Sequence, residues 1–113
     1  VDFVKLGGRT YLGRPGHINP SRLGKVVAHV RCSLIAEEDD RRQPPPVIDG
    51  TAAFLRAGAA VYEIRGSAPR CRVAAYLDGR LTVYLAQRTV HGKDEPLPCA
   101  LPRSPARQGA NRG

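Results

Sequence analysis

Residues 47–86 read VIDGTAAFLRAGAAVYEIRGSAPRCRVAAYLDGRLTVYLA, a run whose apolar stretches are cut by Gly, Pro and Asp-Gly at short spacing. Alternation between such turn residues predicts antiparallel strands, because successive strand side chains point to opposite faces and tight hairpins need residues that accept φ > 0. Asp78-Gly79 is the strongest hairpin signal in the chain. A two-residue loop there sets Leu77 opposite Arg80, Tyr76 opposite Leu81 and Ala74 opposite Val83. That register collects Ala74, Tyr76, Leu81, Val83 and Leu85 on the face expected to be buried, and leaves Val73, Ala75, Thr82 and Tyr84 on a half-buried face. Gly66-Ser67-Ala68-Pro69 is expected to close the preceding hairpin, between Ala59–Arg65 and Arg70–Leu77. Before it, Asp49 and Gly58 are expected to bracket one or two helical turns anchored by Phe54 and Leu55, with Asp49 as the N-terminal cap and Gly58 ending the helix.

Working outward, Asp2–Leu6 and Arg9–Leu12 alternate around Gly7-Gly8 and predict a first hairpin. GKVVAHVRCSLI (24–35) predicts a third strand with Val26, Ala28, Val30 and Cys32 on one face. EEDDRRQPPP, at the heart of a loop over residues 36–46, is too charged and proline-stiffened to bury, so it is expected to be a solvated surface loop. From residue 89 to 113 the periodicity stops, which predicts a disordered, basic, Pro-rich tail. The expected architecture is mainly β: a small antiparallel barrel or rolled sheet of about six strands with one short helix, over residues 1–88.

The 113 residues carry 18 Lys and Arg against 10 Asp and Glu, a formal net charge of +8, so polyanions such as nucleic acid, acidic polymers or lipid surfaces are the natural partners. The arginines are spread singly along strands and loops with no compact cluster of the kind that tracks phosphates, so a merely solvated basic surface is the preferred reading. No apolar run approaches the roughly 18 to 20 residues a membrane span requires. The start, VDFVKLGG, is strand-like; either Val1 translates an alternative start codon or an upstream signal segment precedes it.

Catalysis finds no foothold. His17, His29 and His91 are the only histidines, and the one close pair, His29 with Cys32, points to opposite faces of a strand. No Cys or His spacing suits zinc, and Gly7, Gly8 and Gly13 lack the context of a phosphate loop and are read as turn glycines. No catalytic, cofactor or metal residue is expected. Cys32, Cys71 and Cys99 leave an odd thiol under any single bridge. Cys32 and Cys71 lie in apolar strand contexts, as buried thiols or as a bridge to each other in an oxidising compartment, while Cys99 is placed in the tail, exposed. Tyr11, Tyr62, Tyr76 and Tyr84 interleave with arginines. Tyrosines are common in half-buried strands, where the ring packs and the hydroxyl reaches water, and that structural reading is preferred. Small basic barrels that stack bases on aromatics also show this pattern, which under the nucleic-acid alternative makes Arg9, Tyr11, Arg65, Arg72, Arg80 and Tyr84 the candidate site for single strands.

GRTYLG, LGKVVAHVRC and above all DGTAAFLRAGAAVYEIRG followed by RVAAYLDGRLTVYLA carry a family likeness. With Asp49, Gly50, Ala52, Leu55, Gly58, Val61, Tyr62 and Gly66 in step, the chain resembles small exported or lipid-anchored proteins of Gram-positive bacteria over most of residues 1–86. The resemblance implies a location outside the membrane and a non-catalytic domain. The function expected first is therefore a cell-envelope binding or interaction module whose partner is an envelope polymer or protein, with nucleic-acid binding as the alternative.

Overall fold

Nine strands form in the computed structural model, which describes residues 1–37 and 47–101: β1 Phe3–Leu6, β2 Arg9–Arg14, β3 Leu23–His29, β4 Cys32–Ser33, β5 Thr51–Ala52, β6 Ala60–Ile64, β7 Arg72–Leu77, β8 Arg80–Val90 and β9 Lys93–Pro96. The sheet runs β3-β6-β7-β8-β2-β1-β5-β4, with β9 on the far half of β8. All pairs are antiparallel except β4 with β5. Its ends, β3 and β4, are consecutive pieces of one chain run. The Val30 amide donates to the Ala59 carbonyl (2.9 Å) and the Val30 carbonyl accepts from Gly58 (2.7 Å), whereas the Arg31 and Cys32 amides both turn to the Gly50 carbonyl (2.8 and 3.2 Å). The chain so passes from the β6 side to the β5 side within two residues, and the sheet is rolled into an open half-barrel.

The hairpins form where the turn chemistry placed them. Gly7 and Gly8 take φ of 56° and 75° between β1 and β2, and Asp78 and Gly79 take 51° and 80° between β7 and β8. Leu77 opposes Arg80, Tyr76 opposes Leu81 and Ala74 opposes Val83, the expected register. The inward face is nevertheless the other one. Val73, Ala75, Tyr84 and Ala86 join Val4, Tyr11, Val30, Ala52, Leu55 and Val61 in the core, while Tyr76 is 43% exposed. Strand β2 decides this, because it sets Tyr11 beside Ala86 and Gly13 beside Tyr84 on the second edge of β8. Gly13 lies inside β2, not in a turn; a β-carbon there would meet the Asp2 carboxyl carbon at 2.8 Å and the Tyr84 ring at 3.1 Å. Just past the end of β3, Val30 is buried as expected, but two register shifts of β3 against β6 break the alternation and leave Val26 exposed.

Three further expectations are corrected. No helix forms over 49–58. The Asp49 carboxylate accepts from the Gly8 amide (2.8 Å) and so does not cap a helix, Thr51–Ala52 enters the sheet, and of the two intended anchors Leu55 is buried while Phe54 is 40% exposed. The helical content among the described residues is one four-residue turn, α1 Leu34–Glu37, and 3-10 turns at Pro20–Arg22 and Pro98–Ala100. Second, the chain remains ordered past residue 88. His91-Gly92, with φ of 51° and 77°, closes a hairpin between β8 and β9. Arg88 pairs with Glu95 (2.8 Å), Thr89 donates to Asp94 (2.9 Å), Leu97 packs on the core and Ala100 is fully buried. Most of the 36–46 loop and residues 102–113 lie outside the described residues. Third, Cys71 is bridged to Cys99 and not to Cys32 (Cα–Cα 5.5 Å). Cys32 sits in β4, which β8, β2, β1 and β5 separate from β7 in the sheet.

Candidate anion-binding pole

The connection between β6 and β7, residues 65–71, folds through two tight turns, with the Ser67 amide donating to Ile64 and the Cys71 amide to Ala68 (2.9 Å each). Three arginines outside it, Arg9 and Arg22 from earlier in the chain and Arg72 at the start of β7, reach into it. Arg22, at the end of the Pro20 turn that Asn19 caps, donates Nη2 to the Arg65 carbonyl (3.0 Å), and its own carbonyl accepts from the Arg65 amide (2.7 Å). Arg72 donates Nε to Ser67 Oγ (2.6 Å), and Arg9 donates Nη1 to the Arg70 carbonyl (2.8 Å). With Arg65 and Arg70 themselves, five arginines meet on one short connection. Among the described residues none of the five is in an ion pair. Burial, and then the charge of Arg22, lower the pKa of Arg72 below the usual guanidinium range. Each guanidinium has five N–H donors, and at most one is spent on the connection; the others make no hydrogen bond among the described residues.

The six residues read from the sequence divide. Arg9, Arg65 and Arg72 stand at this pole, whereas Arg80 lies beside the Asp78-Gly79 turn, at the other end of the β7–β8 hairpin. Tyr11 and Tyr84 present no ring face to a base. Both are buried, with the Tyr11 hydroxyl donating to the Pro69 carbonyl (2.9 Å) and the Tyr84 hydroxyl shared between the Asp2 carboxylate oxygens (3.1 and 3.0 Å). Tyr62 and Tyr76 meet edge to face, ring centres 6.3 Å apart, on the outward face. Arg22 and Arg70 were not anticipated. The triplet Arg65, Arg70, Arg72 is visible in RGSAPRCR, but nothing in the sequence announces that Arg22 joins it.

Beside Arg9 and Arg70 lies a hollow of about 310 Å³ walled by Leu6, Val27, Ala28 and Val73. A larger one, about 540 Å³, opens at the Asp78-Gly79 end, where Arg14 and Arg80 are balanced by Asp2 and Asp78.

The buried phenols carry a pH prediction. Burial raises the pKa of Tyr84, and the charge and hydrogen bond of Asp2 raise it further; burial also raises Tyr11, against the opposing charge of Arg9. An unfolded tyrosine ionises near pH 10, so above that pH the unfolded chain releases protons that the native state retains. The contribution of these groups is full below about pH 10 and falls as pH rises toward their native values. Denaturant midpoints measured from pH 8 to 12 are expected to drop steeply in the upper half of that range, and less so in Tyr84→Phe. A variant profile superimposable on the parent would refute the assignment.

Compared with protein-family models, with curated proteins and with solved structures, the chain matches none. No helix among the described residues is long and apolar enough to cross a membrane.

Proposed function

We propose that this domain is a non-catalytic binding module of the cell envelope and that its arginine pole engages an anionic envelope component. The observation that carries the proposal is the gathering of Arg9, Arg22, Arg65, Arg70 and Arg72 on one short connection, with no ion pair to any of them among the described residues. Arginine suits this task because its planar fork matches carboxylate and phosphate oxygens and stays charged at any physiological pH. The Cys71–Cys99 bridge supports an extracytoplasmic setting, since such bonds persist where the surroundings are oxidising. Burial of Tyr11 and Tyr84 removes the stacking surface that single-stranded nucleic acid would use, so the pole is assigned to charge and not to bases.

Inorganic polyphosphate, which has charge but no bases, is the discriminating probe. At low salt it is expected to bind, with affinity falling steeply as salt rises. The double variant Arg22→Gln/Arg72→Gln is expected to weaken binding about tenfold and to flatten the salt slope by roughly one to two. Arg14→Gln/Arg80→Gln, at the other end, is the control expected to change little. Equal losses from both pairs would reduce the pole to diffuse surface charge, and an oligonucleotide bound far more tightly than polyphosphate of equal charge would restore the nucleic-acid alternative.

A further inference from the structure

The inner surface of the half-barrel is incompletely filled beneath the arginine pole. The hollow there, about 310 Å³, has Leu6, Val27, Ala28 and Val73 as its apolar walls and Arg9 and Arg70 at its polar side. That volume is at the lower end of the range of small-molecule pockets, about 300 to 1,000 Å³. Its chemistry is asymmetric. The walls belong to side chains that form or pack against the core, so water there has few partners. Tyr11, also in the lining, has its hydroxyl committed to Pro69. The remaining charged side chains are cations: Arg9 spends one donor on the Arg70 carbonyl, and the Arg70 guanidinium makes no hydrogen bond among the described residues. Among the described residues no carboxylate lines the hollow; Asp49 accepts from the Gly8 amide and Glu63 from the Lys25 amide.

We infer that this hollow binds a small organic anion with an apolar body, its chain against Leu6, Val27, Ala28 and Val73 and its charged end between Arg9 and Arg70. The inference rests on the assignment of this pole to anions and adds the ligand's second half. An inorganic anion would satisfy the two guanidiniums and leave the walls wet, whereas a neutral chain would cover the walls and leave the guanidiniums without a counter-charge. A straight-chain alkyl carboxylate does both, whether as a free acid or as the end of a larger lipid-like molecule.

Octanoate, octanol and acetate, titrated into the intact protein and followed by amide chemical shifts, separate these cases. Octanoate is expected to perturb Leu6, Val27, Ala28 and Val73, and to bind at least about tenfold more tightly than either octanol or acetate. Arg9→Gln/Arg70→Gln is expected to remove that advantage over octanol by about tenfold, the scale of losing charge-assisted hydrogen bonds. Val27→Phe, which fills the hollow, is expected to abolish octanoate binding while leaving polyphosphate binding intact. Should that variant unfold, Ala28→Leu poses the same question with less volume. A longer alkyl phosphate presented in a lipid vesicle, compared with free octanoate, tells a lipid from a soluble acid. Octanol binding as well as octanoate, or acetate binding as well as octanoate, overturns the inference. Polyphosphate binding with no octanoate binding overturns it while leaving the arginine pole standing, and failure of polyphosphate alone strikes the broader proposal.

Discussion

Replacing Cys71 and Cys99 together by alanine is expected to lower the unfolding free energy by about 3 to 4 kcal/mol, the loop-closure entropy for cysteines 28 positions apart. In a domain of this size that is a large share of a total stability of about 5 to 15 kcal/mol. The position of the bridge adds to its importance. It fastens the start of β7 to the Pro98–Ala100 turn, and that segment brings Leu97 onto the core and buries Ala100 completely. Without it, the end of the half-barrel is held by the β8–β9 hairpin and the hydrogen bond from the Leu97 amide to the Ala86 carbonyl (2.9 Å). Urea midpoints of the oxidised protein, the reduced protein and the double alanine variant test this, with amide exchange over residues 93–101 expected to accelerate first. Coincident midpoints, or a peptide map joining Cys71 to Cys32, would refute it.

The separation of Cys71 from Cys99 also shows where the sequence stops being informative. Turn chemistry is local, so Gly7-Gly8 and Asp78-Gly79 gave their hairpins, and with them the register of β7 on β8, from the residues alone. Which face of that ribbon is buried is not local. Both faces carry apolar residues, and Ala74 and Leu85 are buried along with Val73 and Ala75. The choice falls to β2, some seventy residues earlier in the chain, through Tyr11 against Ala86 and the slot that Gly13 leaves for Tyr84 and Asp2. The helix expected at Asp49 fails for the same kind of reason, because a capping carboxylate found a better donor in Gly8 on a distant hairpin. In the segment after residue 88, prolines and charges mask His91-Gly92, a hairpin turn whose flanking strands are polar and half-exposed.

The site was legible only in part. Arg65, Arg70 and Arg72 are close in sequence, but their meaning depends on Arg9 and Arg22 arriving from β2 and from the Pro20 turn, contacts spanning 61 and 43 positions. Tyr84 decides between the two readings of the tyrosines: alternation with arginine suits base stacking, but packing within a strand is the preferred reading, and its strand partner Gly13 places its ring in the core. Aromatic residues flanked by cations report a binding face only when the burial of each strand face is already known.

The crossing of the chain at Gly50 yields the second large effect, and it tests the rolled sheet itself. Gly50→Ala is expected to destabilise the domain by about 2 to 3 kcal/mol, from two sources that add. Its φ is +91°, a conformation unfavourable to any residue with a β-carbon, and a β-carbon there would lie 2.9 to 3.0 Å from the Cγ, Cβ and Cδ of Arg31. Arg31 cannot simply swing away, because its Cβ is fixed by a backbone whose amide is held to the Gly50 carbonyl at 2.8 Å. Relief therefore requires Gly50 and Arg31 to part, which lengthens the bonds from Arg31 and Cys32 and disturbs the Gly50 amide, itself 2.7 Å from the Lys5 carbonyl. Those bonds join β1, β4 and β5, so the injury is expected at one edge of the half-barrel: faster amide exchange at Arg31, Cys32 and Gly50, with the β7–β8 hairpin keeping its protection until global unfolding. Gly79→Ala is the control, with a similar φ of +80° but open space around it, and is expected to show the backbone part of the effect alone, about 1 kcal/mol. Equal losses in the two variants would mean that Arg31 does not pack on Gly50, and the passage of the chain from β6 to β5 would need another explanation.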